Sequence, residues 1–98
     1  MISGKQRSYL KKLAHNMSPK LNIGKNGISD SLIDAIDELL EARELVKINI
    51  LKNNSDEADK LIEEILDKTG SVFVQFIGGK LVIYRPSIKN KKIDLDKI

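Results

Sequence analysis

The chain has 98 residues, of which 41% are hydrophobic and 32% charged, with a net charge of +3 and no cysteine. This length fits one small domain with a modest core, and the absence of cysteine excludes a disulfide framework or a thiolate metal site. No apolar run approaches the roughly 20 residues of a membrane span, and Lys5 and Arg7 stand where a secretory signal would be apolar, so the expectation is a soluble, unprocessed cytoplasmic protein.

Charge is unevenly distributed along the chain. Residues 1–28 hold six bases and no acid, residues 29–70 twelve acids against five bases, and residues 71–98 six bases against two acids. A basic head and tail around an acidic middle is a dipolar arrangement, and clustered Lys and Arg are the electrostatic footprint of a nucleic-acid binder.

Taken in chain order, Ser3 and Gln6 have the spacing of a capping box. Leu10, Leu13, Ala14 and Met17 then recur at helical spacing. This first helix should end near Asn16, before the Ser18-Pro19 break, and its other faces carry Arg7, Lys11, Lys12 and His15. Lys20 to Ile23 reads as a short strand. The segment Gly24-Lys25-Asn26-Gly27 follows, and then a second helix capped by Ser29, with Asp30 in its first turn. Ile28 is placed to staple against Ile33. Leu32, Ile33, Ile36, Leu39, Leu40 and Arg43 share one face of that helix, and Asp30, Asp34, Asp37, Glu38 and Glu41 the opposite, solvated one. The helix should run to Arg43 or Glu44.

Val46, Ile48 and Ile50 alternate with Lys47 and Asn49, which predicts a half-buried strand. A loop at 52–54 leads to a third helix, capped by Ser55, with Ala58, Leu61, Ile62, Ile65 and Leu66 inward and Gly70 at its C′ position. Ser71 to Ile77 and Leu81 to Arg85 read as strands joined by a Gly78-Gly79 turn. Ser87 to Ile98 reads as a basic, loosely held tail. The order α-β-α-β-α-β-β predicts an α/β fold: one compact domain over residues 1–98, with three helices and a mixed sheet of four strands.

Signals for catalysis are weak. His15, the one histidine, lies near the end of a basic helix and suits a surface position better than a general base. Asp56, Glu57 and Asp59 lack the spacing and glycine of an EF-hand loop and fit a helix N-terminus. No nucleotide-binding glycine motif occurs. The expectation is therefore a non-enzyme without catalytic residues, metal site, cofactor or small-molecule substrate.

The glycine segment carries the strongest functional hint. It lies in the acid-free part of the chain, between a strand and a helix N-terminus that offers N–H groups and positive dipole. Glycines allow close approach of a ligand, Lys25 supplies charge and Asn26 hydrogen bonds. Such loops clamp sugar–phosphate backbone in K-homology domains. Amides around Gly27 and Ile28 are the expected phosphate donors.

Leu10-x-x-Leu13-Ala14-His15, Pro19 and Ile23-Gly24-Lys25-Asn26-Gly27-Ile28 resemble the first half of the YhbY-like proteins, the stand-alone bacterial form of the CRM (chloroplast RNA splicing and ribosome maturation) domain. Glu44-Leu45-Val46-Lys47-Ile48, Gln75-Phe76-Ile77-Gly78 and Leu81-Val82-Ile83-Tyr84-Arg85-Pro86 resemble the second half, so the likeness spans about residues 3–88. The resemblance implies a fold akin to the C-terminal domain of bacterial initiation factor three. It also implies RNA binding, with ribosomal RNA in large-subunit precursors as partner during ribosome assembly. On this pattern the RNA surface comprises Gly24, Lys25, Asn26, Gly27, Lys11, Lys12, Lys20 and Arg85. Relatives often carry a basic residue straight after the hairpin glycine. Here that place is Gly79, with Lys80 next, so Lys80 is left out of the expected surface. The alternative is a protein-interaction adaptor that docks a basic ribosomal protein on the acidic faces of the second and third helices.

Overall fold

The computed structural model describes residues 2–24, 27–51 and 55–98. Its elements are α1 (Gly4–Ala14), β1 (Leu21–Ile23), α2 (Asp30–Arg43), β2 (Leu45–Ile50), α3 (Ser55–Thr69), β3 (Val72–Ile77), β4 (Lys80–Tyr84) and a short 3₁₀ turn, Leu95–Lys97. The strands form one sheet in the order β1-β2-β4-β3, with β1 parallel to β2 and the other neighbours antiparallel. The expected α/β domain with a mixed sheet is therefore observed. No helix among the described residues is long and apolar enough to cross a membrane.

Alternation along the strands gives the sheet two apolar faces. Ile23, Val46, Ile48, Ile50, Leu81 and Ile83 pack with Ile36 and Leu40 of α2 and with Ala58, Leu61, Ile62 and Ile65 of α3. On the other face Leu45, Val74, Val82 and Tyr84 pack with Leu10 and Ala14 of α1. The sheet is thus a middle layer, with α2 and α3 on one side and α1 on the other.

Helix starts follow local rules. The Ser3 hydroxyl accepts from the Gln6 N–H at 3.1 Å while the Ser3 N–H donates to Gln6 Oε1 at 2.9 Å, the reciprocal box expected. The Ser29 hydroxyl accepts from Leu32 N–H at 3.1 Å. Ile28, Leu32 and Leu39 pack partly buried against the same core as α2.

Four expectations need correction. α1 ends at Ala14, and Leu13, expected on its buried stripe, is 40% exposed. The packing face is narrower because Leu10 and Ala14, one turn apart, fill the space over the sheet. β2 is buried on both faces from Leu45 to Ile48, with Asn49 partly exposed. Lys47, expected outward, is 9% exposed, and its ammonium donates to the carbonyls of Ala14 (3.0 Å) and Met17 (3.1 Å). A cation thereby meets the negative end of the α1 dipole.

The acidic face of α2 is only partly solvated. Asp37 accepts from the Arg85 guanidinium at 2.7 Å. Glu41 accepts from the Ser87 hydroxyl and from the N–H groups of Ile88 and Lys89. Finally, the tail is held down. Glu44 is fully buried at φ +67, the one non-glycine residue with positive φ among those described. Its carboxylate accepts from the N–H groups of Ser87 (2.7 Å), Lys92 (2.6 Å) and Ile93 (2.7 Å). Ile93 and Leu95 pack beside Leu10, and the Gln6 amide donates to the Leu95 carbonyl. The predicted loops at 25–26 and 52–54, and the Ser55 cap, lie outside what is described.

Candidate nucleic-acid interface

The parallel pairing of β1 with β2 and the antiparallel pairing of β4 bring three chain segments to one end of the sheet. These are the exit from β1 into the glycine loop, the end of β2, and the β3–β4 turn. Leu51 N–H donates to the Ile23 carbonyl at 2.8 Å and Ile50 N–H to the Gly79 carbonyl at 2.7 Å, which ties the three together. Gly78 and Gly79 have φ +60 and +75, the double left-handed geometry of a type I′ turn. A Cβ on Gly79 would also lie 3.3 Å from the Ile50 carbonyl oxygen. A side chain at that position would meet both a left-handed backbone and a tight approach to that carbonyl, and the charge at this turn is carried by Lys80.

The two loop glycines do different things. Gly27 has φ +71, and its N–H donates to the Gly24 carbonyl at 3.1 Å, closing a tight turn. That amide, expected to meet phosphate, is thus already engaged within the loop. Gly24 is not in the left-handed region, and a Cβ there would meet nothing within 4 Å. Gly27 is required by the backbone, whereas Gly24 leaves open space. Lys25 and Asn26, which belong to the predicted site, lie outside the described residues.

α1 covers only part of its face of the sheet. Beyond its C-terminal end lies a hollow of about 460 Å³, lined by Lys11, Lys12, His15, Lys47, Gln75, Ile77 and Lys80. No acidic side chain is among the described lining residues. Lys11, Lys12 and His15 come from the last turn and C-cap of α1, Lys80 from the start of β4. Lys20 is exposed beside it, since its N–H donates to the Lys47 carbonyl at 2.8 Å. Lys11, Lys12 and Lys20 are therefore brought together, and Lys80, left out on sequence grounds, joins them. Hairpin pairing decides this. Lys80 stands opposite Asn49 and Ile77, on the face that α1 leaves open.

Arg85 does not join them. Its guanidinium donates to the Asp37 side chain (2.7 Å), the Asp37 carbonyl (3.1 Å) and the Thr69 carbonyl (2.6 Å). The fork bridges the middle of α2 and the C-terminal end of α3 on the far side of the sheet, so a structural role replaces the one expected. Tyr84 is 5% exposed in the α1-side core, and burial, then the Glu44 charge, raises its pKa. Buried there, it cannot stack on a base. Tyr9 is 36% exposed.

A sheet half-covered by a basic helix, with glycine turns gathered at one end, defines a small α/β domain with a cationic face. The family model for the CRS1 / YhbY (CRM) domain matches residues 2–85, and the chain belongs to that family. It is 39% identical to the Probable RNA-binding protein YqeI of Bacillus subtilis, over 97% of this chain and 99% of that one. It is 34% identical to an RNA-binding protein of Haemophilus influenzae, over 98% and 96% of the two chains. A solution structure of a Staphylococcus aureus protein superposes with a TM-score of 0.81 at 48% identity, covering 96% of this chain and 98% of that one.

Proposed function

We propose that this protein is a non-catalytic RNA-binding module whose contact surface is the basic hollow together with the Gly24–Gly27 loop. One observation carries the reading: Lys11 and Lys12 at the end of α1 and Lys80 at the start of β4, far apart in the chain, converge on one patch with no acid among its described lining residues. Lysines gathered on one face make a positive potential that suits a polyanion, and phosphates are the groups that Lys clusters hold and orient. Kinship to proteins named as RNA-binding supports the choice of RNA. The finer assignment is to ribosomal RNA in large-subunit precursors, a cytoplasmic assembly role implied by the resemblance to YhbY-like proteins. Crosslinking in cells followed by sequencing of the bound RNA tests it. Enrichment of large-subunit precursor RNA is expected, and its absence removes the ribosomal assignment.

The surface itself is tested with Lys11→Glu/Lys12→Glu. Both side chains are exposed, so folding should be unchanged by circular dichroism. Replacing two phosphate partners with two repulsive charges should weaken RNA binding at least about 10-fold at fixed low salt. Unchanged affinity would remove the hollow from the interface. The adaptor alternative is not favoured by a specific observation: two of the α2 acids that it needs, Asp37 and Glu41, already bind Arg85 and the tail.

A further inference from the structure

The strand register places Asn22 opposite Asn49, Asn49 opposite Lys80, and Lys80 opposite Ile77. These four residues form one rank across the whole sheet, at the end where the glycine turns gather. Residues directly opposite each other point to the same face, and Lys80 and Ile77 line the hollow on the α1 side, so all four share that open face. With neighbouring strands about 4.8 Å apart, the rank spans roughly 14 Å.

The chemistry of the rank differs from that of a phosphate clamp. Asn49 Nδ2 donates to Asn22 Oδ1 at 2.9 Å in an exposed setting. Each amide carries donor hydrogens and an acceptor oxygen. This bond engages one donor and one acceptor, so the pair still presents both functions, side by side and held in place by the β1–β2 ladder. That is the complement of a base edge, where a donor and an acceptor lie adjacent. Ile77, at the other end of the rank, is 67% exposed on the lining of a hollow that is otherwise largely basic and amide. It offers an apolar surface for the face of an unstacked base. Lys80 stands between them, where the linking phosphate of a strand laid across the sheet would pass.

We infer that the rank Asn22–Asn49–Lys80–Ile77 is a base-reading site for single-stranded RNA, which gives the surface a preference among nucleotides that the glycine loop cannot supply. The inference rests on the RNA-binding reading above. Sequence-specific RNA recognition works on splayed bases, through hydrogen bonds to their edges and contact with their faces. Here the amide pair serves the edge, Ile77 takes the place of a stacking aromatic, and Lys11, Lys12 and Lys20 flank the path with charge.

The test compares binding of the full chain to single-stranded oligoribonucleotides of adenosine, cytidine and uridine of equal length, at one salt concentration. The unaltered protein should separate the best from the worst by at least about 5-fold, the lower end of what one paired base edge discriminates. In Asn22→Ala/Asn49→Ala this spread should shrink to within about 2-fold, with the salt dependence unchanged because no phosphate partner is lost. Ile77→Ser, at a largely exposed position that folding does not depend on, should weaken all three without changing the salt dependence. Equal binding of the three by the unaltered protein overturns the inference, and so does an intact spread in the double variant. Failure of the unaltered protein to bind any of the three RNAs overturns the RNA reading itself.

Discussion

Gly24 and Gly27 look equivalent in the sequence but separate in the structure. Gly27 sits at φ +71, where a side chain costs about 1–2 kcal/mol. Gly24 is strained by nothing and has open space where its Cβ would be. Gly27→Ala should therefore lower thermal stability, whereas Gly24→Ala should leave it within about 0.5 kcal/mol. If RNA approaches the loop backbone closely, Gly24→Ala should nevertheless weaken binding several-fold. A stable Gly24→Ala protein with undiminished affinity would show that the loop backbone is not approached. Residue-scale chemistry also explains the burial of Lys47. Its ammonium serves two carbonyls at the α1 terminus, and an unserved buried carbonyl costs about 1–3 kcal/mol.

Among the elements, the C-terminal segment departs furthest from expectation. Glu41 and Glu44, one turn apart at the end of α2, act as acceptors for the backbone of residues 87–93. The Ser87 hydroxyl and the Ile88 and Lys89 N–H groups hold the Glu41 carboxyl at about 2, against an ordinary 4.5. Burial works to raise the pKa of Glu44, but bonds from Ser87, Ile93 and Lys92 outweigh it, so its pKa is lowered too. A carboxylate with a depressed folded pKa stabilises the docked state above its unfolded value and loses that contribution as pH falls through the folded one. Docking should therefore be intact above about pH 4.5 and weaken progressively towards pH 2. The amide signals of Ile88, Lys89, Lys92 and Ile93 should report it in an NMR titration. If those amides stay unchanged while the carboxylates protonate, the carboxylates do not hold the segment. The local pattern gives no warning, because Glu41 and Glu44 resemble the other acids of α2, and only the path of the chain beyond β4 brings amides to them.

For the whole molecule, the dipolar charge pattern becomes a two-sided layer. α1 and the open strand ends present Lys11, Lys12 and Lys80 on one side, while α2 and α3 carry Asp34, Glu38, Glu57, Glu63 and Glu64, all exposed, on the other. Such a field orients an approaching polyanion towards the hollow. With Lys11, Lys12, Lys20, Lys25 and Lys80 as phosphate partners, the logarithm of the affinity for single-stranded RNA should fall with the logarithm of salt at a slope of about −3.5. A nearly flat response would exclude this face as the contact surface.

Fold class, element order and helix caps were legible in the chain because they follow from local rules: hydrophobic period, the Ser3–Gln6 and Ser29 caps, and the glycine pair of a tight hairpin. Lys11, Lys12 and Lys20 could be nominated because they cluster within the acid-free head. The separation of Arg85 from Lys80 could not be read this way, since both are cations on the closing hairpin. Strand register sets Lys80 over the open half of the sheet, and the reach of Asp37 draws Arg85 to the other side. Nor do Asn22 and Asn49 announce themselves, being 27 residues apart and ordinary outward strand positions. Contacts between distant residues depend on how β1, β2 and β4 align, and that alignment arises from the packing of two apolar faces at once. Local chemistry specified the parts; the shared layer of the sheet decided which charges and amides meet.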